Sequence, residues 1–164
     1  MPCPYLAYTA AVFHIVLYQP EIPPNTGNII RLCANTGVEL HLIHPLGFEL
    51  SDSRLRRAGL DYAEFTCMHE HASLQAFRQQ VGPARLFAAS TRGDTDYTRP
   101  AYRHGDALLF GPETRGLPAE LLATLPAGHC LRIPMQAQSR SLNLSNAVAV
   151  ILYEALRQTG FDFE

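Results

Sequence analysis

Short apolar runs alternate along the chain with amphipathic and polar segments. The apolar runs predict strands at residues 13–18, 39–43, 64–68, 85–90, 107–110 and 129–133. The segments between and after them predict helices from Asn25 or Thr26 to Asn35, at 51–58, 73–80 and 118–124, and at about 143–159. Gly37 is the expected end of the first helix. Strands that alternate with helices predict an α/β fold, a parallel sheet flanked by helices.

Three blocks rich in glycine, proline and asparagine follow apolar strand-like runs. They are residues 25–31, residues 110–117, and residues 133–135 together with 141–147. Loops at strand ends carry most of the chemistry of α/β proteins. Glycine allows a backbone to approach a ligand closely. We therefore expect these blocks to contribute to a ligand site.

Each block also has a purely structural interpretation. The first is explained by a capped helix with Arg31 as a solvated charge, and the second by a tight turn in which Glu113 and Arg115 form local ion pairs. In the third, Ser141 or Asn143 is a candidate N-cap. One cap does not require four polar side chains, so the third block favours a function, whereas turn and ligand loop stay equally open for the second.

The charged residues limit the chemistry. The 164 residues include 13 basic and 15 acidic ones, for a formal charge of −2, and every basic residue is arginine. The lack of lysine excludes Schiff-base chemistry and the lysine-dependent phosphate loop. Arginine is also the better bidentate partner for phosphate. Arg54, Arg56 and Arg57 form either a solvated helix face or a contact to RNA phosphates.

Cysteine and histidine give no recognisable metal or disulfide pattern. The four cysteines are scattered, which favours reduced thiols in a cytoplasmic protein. His69 and His71 lack a third ligand nearby in sequence, and the other histidines are dispersed, so no metal is expected. No apolar stretch is long enough to span a bilayer. We expect residues 1–12 to be a flexible leader and residues 13–160 to form one domain.

The last predicted helix is apolar on every side from Ala147 to Tyr153. A helix without a polar face must be covered on all sides. In a small domain a second subunit is the natural cover. The pattern therefore predicts a homodimer.

Taken together, the three blocks and the stretches at 15–28 and 54–62 resemble the SpoU–TrmD (SPOUT) RNA methyltransferases. The resemblance runs from about Phe13 to Gly160 and is closest to the TrmL/YibK-like subfamily, small enzymes that methylate the wobble ribose of tRNA. It implies a deep C-terminal trefoil knot, in the region from about Leu108 to the final helix. It also implies S-adenosyl-L-methionine bound in that knot and a homodimer, without a metal.

The resemblance also implies roles for individual residues. By matching motif positions, the cofactor is expected near Ala89, Gly111, Ile133 and Ser141. Arg31 is expected at the reacting ribose, and Asn25, Glu113 and Asn143 at other catalytic positions. Tyr153 is expected where the site meets the dimer interface. Candidate tRNA contacts are Arg54, Arg56, Arg57, Arg115 and Arg140.

The implied reaction is 2′-O-methylation of nucleotide 34, a cytidine or carboxymethylaminomethyluridine, in leucine tRNAs. One alternative is a non-catalytic RNA-binding protein of the same fold, against which the complete set of motif residues argues. Another is a ribosomal RNA 2′-O-methyltransferase. Relatives of that kind usually carry an extra N-terminal domain, for which the residues before the first strand are too few.

Overall fold

The structure of the chain is a computed structural model that describes residues 13–51 and 62–162. The expected leader at residues 1–12 lies outside the described residues. So does most of the helix expected at 51–58, with Arg54, Arg56 and Arg57.

Seven strands of the described residues form one sheet with the order β3-β2-β1-β6-β4-β7-β5, and each pairing between neighbours is parallel. The strands are β1 (Phe13–Tyr18), β2 (Glu39–Ile43), β3 (Met68–His71), β4 (Leu86–Ala89), β5 (Thr95–Asp96), β6 (Asp106–Phe110) and β7 (Cys130–Arg132). The parallel α/β prediction is confirmed. Parallel pairing brings the carboxyl ends of β1, β4, β6 and β7 to one edge of the sheet.

Helices cover both faces of this sheet. They are α1 (Pro23–Thr36), α2 (Leu74–Val81), α3 (Ala119–Ala123) and α4 (Leu144–Gln158), and a 3-10 helix spans Tyr62–Cys67. On one face, α1 and α4 pack over the side chains of Ile15, Leu17 and Leu108. On the other face, Val16 and Leu109 belong to a second core that includes Phe77 of α2. None of the helices among the described residues is both long enough and apolar enough to cross a membrane.

Two element predictions are wrong. Residues 64–68 were expected to be a strand, but they lie largely in the 3-10 helix, and β3 begins only at Met68, where pairing with Leu40 starts. The helix α1 begins before Asn25, because Pro23 and Pro24 occupy its first turn, where a fixed φ and a missing N–H suit the helix. Asn25 and Thr26 are therefore buried inside the first turn and do not cap it.

Two further features were not expected. The stretch at 91–106, for which no strand was predicted, contains the short edge strand β5 and the buried Tyr102. Cys33 and Cys130 carry free thiols as expected, but Cys67 is disulfide-bonded, so reduced thiols are wrong for that residue. The expected end of α1 is confirmed, since Gly37 adopts the left-handed conformation there.

Candidate functional site

A cavity of about 560 Å³ opens at the carboxyl ends of β4, β6 and β7. The strand ends meet there because β4 lies between β6 and β7 in the sheet. The lining comes from Ile22 and Asn25, from residues 89–92, 110–117 and 140–144, and from Leu131, Ile133, Met135 and Ala147. The three blocks singled out in the sequence thus share one cavity, whose volume falls in the ordinary range for small-molecule sites.

Glu113 joins the loop after β6 to the start of α1. Its Oε2 accepts the backbone N–H of Glu21 at 2.8 Å, and its Oε1 accepts the N–H of Ile22 at 3.1 Å. Oε1 also lies 3.3 Å from Nδ2 of Asn25, which donates to it. A carboxylate that accepts several N–H groups is held in one orientation, so Glu113 fixes the distance between the two loops.

Asn25 and Asn143 extend this connection to the third block. The Nδ2 of Asn143 donates to Oδ1 of Asn25 at 3.0 Å. The Oδ1 of Asn143 accepts the backbone N–H groups of Ser145 and Asn146, so this side chain also caps α4. Asn25 is buried. A continuous chain of hydrogen bonds, Glu113–Asn25–Asn143, therefore ties all three blocks together at the cavity.

A second set of contacts holds the outer part of the loop after β6. The hydroxyl and the backbone N–H of Thr114 both donate to Oε2 of Glu21, at 2.7 and 3.0 Å. These hydrogen bonds, reinforced by the Arg115 guanidinium, hold the pKa of Glu21 below its ordinary value. Arg115 also donates to the side-chain oxygen of Gln19. The loop is thus attached to the end of β1 by charge-assisted bonds.

Gly111 makes the loop compact. A Cβ at this position would lie 2.5 Å from the backbone N of Leu117 and 2.7 Å from the carbonyl carbon of Gly116, distances that real Cβ atoms do not adopt. The loop is closed by a hydrogen bond from the N–H of Gly116 to the carbonyl of Pro112. Gly116 has a φ of +69°, which favours glycine. The tight turn expected for the second block is therefore confirmed, and the turn also forms a cavity wall. The local ion pairs expected for Glu113 and Arg115 are wrong, because Arg115 pairs with Glu21 and Glu113 accepts N–H groups of the first loop.

The structure brings together most of the residues that the sequence singled out. Within the described residues, the cavity is lined by Asn25, Ala89, Gly111, Glu113, Arg115, Ile133, Arg140, Ser141 and Asn143.

Arg31 and Tyr153 lie outside this lining. Arg31 is on the exposed side of α1, with its Nε 3.3 Å from Oε1 of Glu64. Tyr153 is 45% exposed on α4.

Sequence reasoning missed Glu21 and Arg92. Glu21 precedes the proline pair of the first loop, and nothing local to it indicates that its partner lies more than 90 residues away, at Thr114. Arg92 lines the cavity beyond the end of β4. Its position after a strand end is the only sequence signal, and it is a weak one.

The cavity wall combines apolar side chains with polar groups. Leu117, Leu131 and Ile133 offer apolar surface, while Arg92 and Arg140 offer cationic groups at the lining. A ligand with a flat apolar part and a charged polar part, such as a nucleoside with an anionic or zwitterionic tail, matches this division.

The chain is similar to known RNA methyltransferases. The model of the SpoU rRNA Methylase family matches residues 12–153. A relative from Escherichia coli (strain K12), a tRNA (cytidine(34)-2'-O)-methyltransferase, is 59% identical over 150 residues, which cover 92% of this chain and 96% of the relative.

Solved structures of RNA methyltransferases are also similar to this chain. One, from work on the 2-OH methylation of C/U34 on tRNA, is 52% identical with a TM-score of 0.83, and the match covers 90% of this chain and 96% of that chain. The SpoU methyltransferase AviRb from Streptomyces viridochromogenes, in complex with the cofactor AdoMet, is 26% identical with a TM-score of 0.74. That match covers 92% of this chain and 59% of AviRb.

Proposed function

The chain belongs to the SpoU rRNA Methylase family, and we propose that it methylates the ribose 2′-oxygen of nucleotide 34 in tRNA. The observation that carries the proposal is the 59% identity, over 92% of the chain, to a relative with that activity. The hydrogen-bond chain Glu113–Asn25–Asn143 supports it, because the site of this protein is intact rather than degraded.

The cofactor of the family is S-adenosylmethionine, and the cavity fits it. A volume of about 560 Å³ accommodates a nucleoside with an amino-acid tail. We assign the adenosine to the walls formed by the backbone at Ala89, the Gly111 loop, Ile133 and Ser141. When bound there, S-adenosylmethionine would supply a methyl group on a positively charged sulfur to an attacking ribose oxygen.

The residues of the chain contribute alignment rather than covalent chemistry. Glu113, Asn25 and Asn143 fix the loops, so both reactants can be held in line, which lowers the entropic part of the barrier. Because arginine stays protonated in proteins, Arg31 is unsuited to be a base. We assign it to orienting an RNA phosphate and stabilising negative charge on the ribose oxygen. An RNA phosphate or water then accepts the hydroxyl proton.

Arg31 can serve this role although it lies outside the cavity lining. It follows Asn25 by six residues, which is about 9 Å of helical rise along α1. Its side chain is 49% exposed, so it is accessible to a polynucleotide. An RNA strand whose reacting ribose sits at the cavity would extend over this part of α1.

The RNA is held by arginines around the site. Arg115 and Arg140 line the cavity, and Arg54, Arg56 and Arg57, which lie outside the described residues, are the remaining candidates. Leucine tRNAs are the proposed substrates, and the cytoplasm, where tRNA is matured, is the proposed compartment. Contacts of this kind make RNA affinity fall steeply with salt concentration.

A homodimer is part of the proposal. The exposed side of α4 carries Val150 and Tyr153, which are 36% and 45% exposed, and Leu142 lies just before the helix at 40%. An apolar surface of this kind on a helix favours a protein partner over water. A second copy of the chain would cover it.

A C-terminal trefoil knot is also proposed. One close backbone approach supports it. A Cβ on Gly93 would lie 2.5 Å from the carbonyl carbon of Leu131, so these two distant segments pass each other with room only for glycine.

Replacing Arg31 tests the proposed division of roles. We expect Arg31→Ala to reduce methyl transfer to tRNA by at least about a hundredfold, while calorimetry with S-adenosylmethionine shows nearly unchanged affinity. Arg78→Ala, on exposed α2, is the matched control and should keep both properties. Unaltered turnover of Arg31→Ala would refute its role, and lack of cofactor binding by the wild type would favour a non-catalytic RNA-binding protein.

A further inference from the structure

Three histidines that are dispersed in the sequence come together on the central strands. His14 of β1, His41 of β2 and His71 of β3 are all buried. The Nδ1 of His14 lies 3.0 Å from Nε2 of His41, and the Nδ1 of His41 lies 2.9 Å from Nε2 of His71. Histidines that are dispersed in the sequence therefore form a cluster in the fold, because the parallel pairing of these strands makes residues 27 and 30 positions apart diagonal neighbours.

The carboxylate of Glu39 completes a triangle with two of these histidines. Its Oε2 lies 3.3 Å from Nδ1 of His14 and 3.6 Å from Nε2 of His41. Three ligand atoms of two residue types thus surround one point, with mutual distances of 3.0, 3.3 and 3.6 Å. Among the described residues this is a group with the composition and spacing of a metal site.

The size of the triangle fits a tetrahedral transition metal. Zinc lies about 2.0–2.1 Å from histidine nitrogen and about 2.0–2.2 Å from carboxylate oxygen. Two ligands of a tetrahedral ion at such distances are about 3.3–3.5 Å apart. The three distances observed between His14, Glu39 and His41 bracket that value. The ion can therefore sit over the triangle after shifts of a few tenths of an ångström.

The ligand types also suit such an ion. Two imidazole nitrogens and one carboxylate oxygen are donors that zinc uses in proteins.

The surroundings hold the ligands in place. The bond between Nδ1 of His41 and Nε2 of His71 occupies the nitrogen of His41 that faces away from the triangle and fixes the ring orientation. The ring of Phe77 packs against His41 with centroids 4.9 Å apart. The Glu39 side chain keeps 25% of its surface exposed, so an ion and a fourth ligand from water can enter from that side.

We propose that His14, Glu39 and His41 bind one divalent transition-metal ion of the zinc class. The site lies toward the amino ends of β1 and β2, whereas the cavity lies at the carboxyl ends of the strands. It is therefore separate from the proposed methyl-transfer site. Its role is structural, because the ion joins β1 to β2 near the point where each strand begins.

The test is titration of the metal-free protein with Zn²⁺ in competition with a chromophoric chelator. A second titration with Co²⁺ reports the coordination geometry through the visible absorption of the bound ion. The full chain should bind one ion, with a tetrahedral Co²⁺ spectrum, and Zn²⁺ should raise its melting temperature. Glu39→Gln keeps the size of the side chain but removes the charge. We expect it to weaken Zn²⁺ binding at least about tenfold.

His44→Gln is the matched control, because His44, just after β2, and Glu70 of β3 form a histidine–carboxylate pair that offers only two ligands. This variant should bind as the wild type does. His14→Asn is a second ligand variant, used if Glu39→Gln does not give native circular dichroism. The proposal is overturned if the wild type binds no stoichiometric ion, if both ligand variants bind like the wild type, or if His44→Gln loses binding equally. In the first case the three side chains are only a hydrogen-bonded cluster.

Discussion

At the scale of single residues, the most informative group is the carboxylate of Glu113. It is half-buried and receives two backbone N–H groups and one amide N–H, from Glu21, Ile22 and Asn25. Hydrogen bonds to a charged group are worth more than neutral ones, and a donor left without a partner costs free energy. Glu113 therefore contributes to folding as well as to the site.

Replacing Glu113 by glutamine is predicted to destabilise the protein. Both oxygens of the Glu113 carboxylate accept N–H groups. In glutamine an NH₂ group replaces one of these oxygens, so a donor would face a donor. We expect Glu113→Gln to lower the free energy of unfolding by about 1–3 kcal/mol, measured by urea denaturation, and to weaken cofactor binding. Glu120→Gln, on exposed α3, should leave both unchanged. Equal stability of the two variants would contradict the role assigned to Glu113.

The sequence could predict which residues meet at the site, but not how they are paired. Asn25, Glu113 and Asn143 were identified from motif blocks, and the structure joins them directly. The partnership of Glu21 with Thr114 was not predictable, because it joins loops that become neighbours only when β1 and β6 pair. The histidine cluster was missed for the same reason, since strand register decides which side chains meet.

At the scale of elements, the start of α4 connects helix stability to the site. Asn143 caps this helix through its Oδ1 and reaches Asn25 through its Nδ2. A cap commonly contributes about 1 kcal/mol. One side chain thus couples the position of α4 to the cavity.

Removing this cap should affect both stability and binding. Asn143→Ala is predicted to lower the free energy of unfolding by about 1 kcal/mol and to weaken S-adenosylmethionine binding. Ser73→Ala is the matched control, because Ser73 caps α2 in the same way by accepting the N–H of Ala76. It should lose similar stability with unchanged cofactor affinity in calorimetry. If both variants bind the cofactor equally well, the bond to Asn25 has no role in binding.

Elements were predictable where the apolar pattern was strong and flanked by clear breakers. The bounds of β1 and β2 agree with the prediction because both are continuous buried strands. The strand expected at 64–68 was wrong because a short apolar run fits a 3-10 helix as well as a strand. The edge strand β5 has two residues and one neighbour, β7, so its pattern is too short to detect.

At the scale of the whole molecule, the parallel pairing of the strands could be predicted from the sequence pattern, whereas the strand order and the proposed knot could not. Chains almost never thread, so general rules argue against a knot. The knot was expected from the family resemblance alone. The proposed dimer, by contrast, had a direct physical signal in the apolar stretch from Ala147 to Tyr153.

The dimer gives a prediction at this scale. The wild type should sediment as a dimer at micromolar concentration, because association would cover the exposed apolar side of α4. A charged side chain on this surface is costly to bury in a dimer interface. Tyr153→Glu is therefore expected to raise the dissociation constant of the dimer at least about tenfold. Gln79→Glu, on the exposed part of α2, should sediment like the wild type. A stable wild-type monomer at that concentration would rule out the dimer.

The most direct test of the account is methyl transfer to a tRNA that lacks only the 2′-hydroxyl of nucleotide 34. With unmodified leucine tRNA and S-adenosylmethionine, we expect one methyl group per tRNA, located on that ribose. With the 2′-deoxy substrate, incorporation should disappear although the RNA still binds. Undiminished methylation of the 2′-deoxy tRNA would contradict the proposed function.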